Sequence, residues 1–105
     1  MIDLNVEQKL MLTALAEARL RDANASADSL PSRAEVAHRL GWSVKKFDRK
    51  LDYLCARLAD AGVRGLRGGK GIEANERRSN LVTHVLRNDI VTAADLEALE
   101  AHKPD

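Results

Sequence analysis

Ser32-Arg33-Ala34-Glu35-Val36-Ala37-His38-Arg39-Leu40-Gly41-Trp42-Ser43-Val44-Lys45-Lys46-Phe47-Asp48-Arg49-Lys50-Leu51-Asp52-Tyr53-Leu54-Cys55-Ala56-Arg57-Leu58 reads as two helices joined by a tight turn at Gly41-Trp42-Ser43. Ser32 and Glu35 have the spacing of a capping box, in which each side chain serves the other's backbone amide and fixes a helix start. Val36, Ala37 and Leu40 then form an inner face, with Ala37 small where a crossing helix must approach closely. Gly41 stands where a left-handed residue ends a helix, and Ser43 can cap the next one. In that next helix Val44, Phe47, Leu51, Leu54, Leu58 and Ala61 recur at three- and four-residue intervals and share one face, with Gly62 closing it. This is a helix-turn-helix signature, and a second helix braced in this way fits the major groove of DNA.

Upstream, Asn5 with Gln8 predicts another capped start and a helix to about Arg21. Its apolar set of Leu10, Met11, Leu12, Leu15, Ala16 and Leu20 is wider than one stripe, so part of it is expected to face a second chain, as a homodimer or with a protein partner. Asp22 to Ser29 reads as a loop. Downstream, Val63-Arg64-Gly65-Leu66-Arg67, Gly68-Gly69-Lys70-Gly71 and Ile72-Glu73-Ala74 read as strand, glycine turn and return strand, a wing, with a bulge expected at Gly65. A helix follows from Glu76 to about Asn88 with Leu81, Val82, Val85 and Leu86 inside. Thr92-Ala93-Ala94-Asp95 then caps a last helix holding Leu96 and Leu99, and 101–105 is expected to fray. The expected fold is mainly α: a winged helix-turn-helix with a three-helical core, in which a helix and the helix-turn-helix precede a β-hairpin wing and two closing helices. It forms a single domain over 1–105, with the motif core at about 30–75.

A chain of 105 residues with 45% apolar and 31% charged residues excludes both a disordered and a membrane-embedded protein, since no apolar run approaches the roughly 18 residues a span needs. The N-terminal stretch is acidic where a signal peptide would be basic, and Cys55 is the only cysteine, so no internal disulfide forms. A cytoplasmic protein is expected, nucleoid-associated when bound to DNA. The net charge is only +1, but residues 33–78 hold 12 Lys or Arg against 6 acids, whereas both flanks are acidic. A local positive patch is what polyphosphate binding requires.

The runs 30–43, Phe47-Asp48-Arg49-Lys50-Leu51-Asp52-Tyr53-Leu54-Cys55, Ala61-Gly62-Val63-Arg64-Gly65-Leu66-Arg67-Gly68-Gly69 and Glu76-Arg77-Arg78-Ser79-Asn80-Leu81-Val82 together resemble the C-terminal module of actinobacterial forkhead-associated-domain proteins. The likeness covers roughly residues 30–99. It implies a winged-helix fold and DNA binding. No forkhead-associated domain stands in these 105 residues, so the signalling role of that partner domain is not implied.

On a helical wheel the apolar positions of the third helix centre opposite Lys45, Arg49 and Tyr53. Lys45, Lys46 and Arg49 occupy the half that enters the groove, where an arginine forks onto guanine O6 and N7, and Lys50 and Arg57 are placed to touch the backbone. Ser43 and Tyr53 can donate hydroxyls to phosphate. The bland alternative is a solvated face paired within the helix, Lys45 with Asp48 and Arg49 with Asp52. In the wing, Arg64, Arg67 and Lys70 beside the glycines would reach phosphates or the minor groove, joined by Arg77 and Arg78; the alternative there is an ordinary hairpin. Trp42 is expected to pack across the helix pair, and Cys55 to be a buried, inert thiol. His38, His84 and His102 are scattered, no metal-ligand spacing exists, Gly69-Lys70-Gly71 lacks the pattern of a phosphate loop, and no nucleophile pairs with a base. No metal, cofactor or catalysis is expected. The function these features point to is sequence-specific binding of double-stranded DNA by a transcription regulator. The rival is a winged-helix adaptor that holds a protein partner without reading bases.

Overall fold

In the computed structural model the residues described are 4–22, 24–25, 30–66 and 74–102. They form α1 (Val6–Arg21), α2 (Arg33–Leu40), α3 (Val44–Asp60), α4 (Ala74–Arg87), a 3₁₀ turn (Ala93–Asp95) and α5 (Leu96–Ala101). The architecture is mainly helical, and none of the described helices is long and apolar enough to cross a membrane.

Local side chains set most helix starts. Asn5 Oδ1 accepts from the Gln8 amide at 2.8 Å while Gln8 Oε1 accepts from the Asn5 amide at 3.0 Å. Ser32 and Glu35 do the same for α2, at 3.1 and 3.4 Å. Ser43 Oγ accepts from the Lys46 amide at 3.0 Å, and Asp95 Oδ2 accepts from the Thr92 amide at 2.8 Å. Each bond satisfies a helix-end amide that would otherwise lack a partner.

Three helix ends share one device, in which a left-handed residue lets two successive amides turn back on the last carbonyls. Gly41, at φ 77°, closes α2 with Trp42 N to Ala37 O at 2.9 Å. Gly62 closes α3 with Val63 N to Leu58 O at 3.0 Å. At the end of α4 the same position is held by Asp89, at φ 53°, with Ile90 N to Val85 O at 2.9 Å.

α1 is the centre of the molecule and packs against every other helix. From Leu10 to Ala16 all its residues are buried, which accounts for an apolar surface wider than one stripe: α2, α4 and α5 cover it from within the chain. The buried Thr13 hydroxyl is satisfied by donating to Lys9 O at 2.7 Å. Around α1 one apolar cluster gathers Val36, Leu40, Phe47, Leu51, Leu54, Leu58, Leu66, Leu81, Val85 and Leu99. The expected inner faces of α2 and α4 turn inward, Leu86 only partly buried, and on α3 Phe47, Leu51, Leu54 and Leu58 are buried, whereas Val44 and Ala61, expected on the same face at the two ends of the helix, are exposed.

The expected first strand of the wing needs correction. Val63 to Leu66 is a turn and not a strand, and no strand occurs among the described residues. Gly65 adopts φ 81°, its carbonyl accepts from Asn80 Nδ2 of α4 at 3.0 Å, and Leu66 drops into the core. The chain therefore folds back onto α4 instead of extending away, and Ala74, expected in the return strand, is the first residue of α4. The rest of the expected hairpin, 67–73, lies outside the described residues. At the C-terminus, where 101–105 are expected to fray, residues 103–105 lie outside the described residues. Ala101 is helical, the His102 amide bonds to Ala98 O at 3.1 Å, and its ring Nε2 lies 2.9 Å from Leu40 O, tying the end of α5 to the end of α2.

Candidate nucleic-acid interface

Gly41 turns the chain and Ser43 caps its next helix, so Trp42 alone spans the gap between α2 and α3. α3 buries Phe47, Leu51, Leu54, Cys55 and Leu58, which leaves Lys45, Arg49 and Tyr53 exposed along its opposite side. These three stand four residues apart, about 6 Å of rise per step. Tyr53 is 59% exposed, and the Arg57 guanidinium lies 5.7 Å from its ring centroid.

The charges on α3 are sorted by side. On the flank toward α1, Lys46 Nζ lies 2.9 Å and Lys50 Nζ 3.0 Å from the two oxygens of Glu7, and both ammonium groups sit over the Trp42 ring, at 4.7 and 5.9 Å. Bonding to Lys46, and then to Lys50, holds the Glu7 carboxyl below its ordinary value, with its slight burial opposing. On the other flank Asp48 accepts from Arg33 of α2 at 2.7 Å, and Asp52 from Arg77 of α4 at 2.8 Å. The within-helix pairs Lys45–Asp48 and Arg49–Asp52 do not form, because both aspartates are engaged by other helices. Among the described residues neither Lys45 nor Arg49 has an ion-pair partner.

Helix ends sharpen the contrast. The first turns of α1, α2, α4 and α5 carry Glu7, Glu35, Glu76 and Glu97, whereas the first turn of α3 has no acid. The positive end of the α3 dipole is therefore uncompensated, and Ser43, which accepts at its cap, still has a hydroxyl proton to donate.

The remaining expected contacts divide. Arg64 is exposed in the turn after α3. Arg77 is fastened to Asp52 with its side chain 20% exposed. Arg78 was expected on the surface and is 8% exposed instead. Position 78 falls on the inward stripe of α4 with Leu81, Val82 and Val85, a signal readable from the spacing alone. Burial, together with Arg33 and Arg77 nearby, presses its guanidinium below the ordinary value, with Asp48 opposing. Arg67 and Lys70 lie outside the described residues. The sequence reading missed Glu7 and Arg33, which act across helices and have no local signature.

Trp42 packs on the edge of the core beneath the two lysines. Cys55 is buried at 1% exposure, and burial pushes its thiol up to about 11, a protonated and unreactive state at neutral pH. Among the described residues no three His, Cys, Asp or Glu side chains converge on a possible metal position. Comparison with protein-family models, with curated proteins and with solved structures finds no match to this chain.

Proposed function

We propose that this chain is a transcription regulator that binds double-stranded DNA by laying α3 in the major groove. The observation that carries the reading is the exposed row of Lys45 and Arg49, without ion-pair partners among the described residues, on a helix where Lys46, Asp48, Lys50 and Asp52 are each paired with a neighbouring helix. Arg49 reads a base edge, Lys45 and Ser43 hold phosphates near the helix start, and Tyr53 donates to the backbone one turn beyond Arg49. Arg64, with Arg67 and Lys70 beyond it in the sequence, adds contacts to phosphates or the minor groove, the part a wing plays in a winged helix-turn-helix. The working place is the bacterial cytoplasm, on the nucleoid.

The adaptor reading rests on the breadth of α1 and on the acidic flanks of the chain; the other helices pack over α1, and the acidic flanks remain as its ground. Val6, in the first turn of α1, is 76% exposed and open to a second chain.

Selection of bound duplexes from a random pool, followed by titration of the selected duplex with the K45E/R49E double variant, tests the proposal. Loss of binding with an unchanged circular-dichroism melt is expected. Undiminished affinity in that variant removes α3 as the reader.

A further inference from the structure

Lys46 and Lys50 are one helical turn apart on α3, and a single carboxylate holds both. Glu7 Oε2 lies 2.9 Å from Lys46 Nζ and Oε1 lies 3.0 Å from Lys50 Nζ, so each oxygen serves one ammonium. The Trp42 face lies beneath both cations, at 4.7 and 5.9 Å. Glu7 and Trp42 thus draw the two lysines toward α1, off the row of Lys45 and Arg49. The three charged groups together present one positive charge to solvent instead of two.

We propose that Glu7 sets the affinity and salt dependence of the DNA surface: it withholds Lys46 and Lys50 from the phosphate backbone. The inference rests on the DNA-binding reading above and concerns what sets its affinity and its response to salt. A cation free to reach any phosphate adds affinity that is the same for every sequence, whereas discrimination comes from the base-directed row. Holding two cations away from phosphates therefore lowers affinity for selected and random duplexes alike and makes binding less sensitive to salt, while discrimination stays with the base-directed row.

The experiment is a fluorescence-anisotropy titration of a labelled random-sequence duplex at salt concentrations from about 50 to about 200 mM, the range over which counterion release dominates. Wild type, E7Q and E7A are compared, each also in a K46A/K50A background, with circular-dichroism melts alongside. E7Q is expected to bind the random duplex more tightly, with a log-log salt slope steeper by about 0.9 per recruited lysine. Its advantage therefore shrinks about 3.5-fold per recruited lysine across that salt range. In the K46A/K50A background E7Q is expected to change nothing. If E7A melts below the assay temperature, the nearly isosteric E7Q carries the comparison. Equal slopes for wild type and E7Q, with wild type bound, overturn the inference and leave the DNA reading standing. A gain that persists without the lysines also overturns it, because Glu7 would then act only by repelling phosphate. Failure of both wild type and E7Q to bind any duplex overturns the DNA reading and this inference with it.

Discussion

Arg49→Ala and Arg39→Ala remove the same charge from the same protein, and only the first is expected to matter for DNA. Arg49 is exposed on the outer side of α3 and has no ion-pair partner among the described residues, so its removal breaks no contact within the fold. Its loss should leave stability within about 0.5 kcal/mol of wild type, as for surface sites without partners. Arg39, on α2, lies 3.2 Å from Glu17 of α1, a partly exposed pair worth about 0–1 kcal/mol. In binding the order reverses. An arginine forked onto a base contributes about 1–3 kcal/mol, or roughly 5- to 150-fold in affinity for the selected duplex. Arg39 acts only through the long-range field, which salt screens within about 8–10 Å, so a change of no more than a few-fold is expected. Anisotropy titration of the selected duplex, paired with thermal melts, measures both quantities on the same samples. Equal losses of affinity in the two variants would mean that net charge, and not the α3 row, drives binding, and the reasoning would fail.

Gly41→Ala places a Cβ on a residue at φ 77° and should cost about 1–2 kcal/mol, lowering the melting temperature by about 4–8 °C for each kcal/mol. Gly41→Asn, which tolerates the left-handed region, should lose less, and identical melts for the two variants would refute the account. Carbon-detected NMR titration of Glu7 should give a midpoint below the ordinary 4.5, moving up when Lys46 and Lys50 are both changed to Ala. Because the folded value is depressed, the stability Glu7 contributes is present above the ordinary carboxylate range and lost as pH falls through the lower folded value. An unshifted midpoint would mean that the clamp does not persist in solution. A thiol-reactive disulfide reagent at pH 8 should leave native Cys55 untouched and label it at once in denaturant, since burial holds the thiol at about 11. Rapid native labelling would show that the thiol reaches solvent.

What was legible in the sequence was what is local. The boxes of Asn5 with Gln8 and of Ser32 with Glu35 span three residues, and the Phe47, Leu51, Leu54, Leu58 stripe declares its face by spacing. The Val63–Leu66 segment was not legible, because an apolar pair around a glycine suits a bulged strand as well as a turn. The contact that decides for the turn comes from Asn80, 15 positions beyond Gly65. At the interface, the outward direction of Lys45, Arg49 and Tyr53 followed from the wheel. The neutralisation of their neighbours did not, since Glu7 is 39 residues from Lys46 and Arg33 is 15 from Asp48. Arg78 was misjudged for a different reason. Its charge was weighed ahead of its position on the inward stripe of α4, although a long arginine stem packs well against apolar neighbours.

The sorting of charge on α3 bears on how a protein of net charge +1 would hold a polyanion. Seen from afar, the field is weak, so long-range steering contributes little and encounter is slow beside that of a strongly basic protein. Close to the surface the balance changes. Glu7 is spent on two lysines, Asp48 and Asp52 are spent on arginines from other helices, and the α3 dipole end carries no acid. A phosphate arriving at the start of α3 therefore meets the helix end, Lys45 and Arg49, while Glu7, Asp48 and Asp52 are already paired with cations. Affinity built in this way depends on contact geometry more than on total charge. A charge-reversing substitution far from α3 should leave duplex binding almost unchanged, whereas freeing Asp52 by Arg77→Ala should weaken it, because the released carboxylate then faces the phosphates beside Arg49.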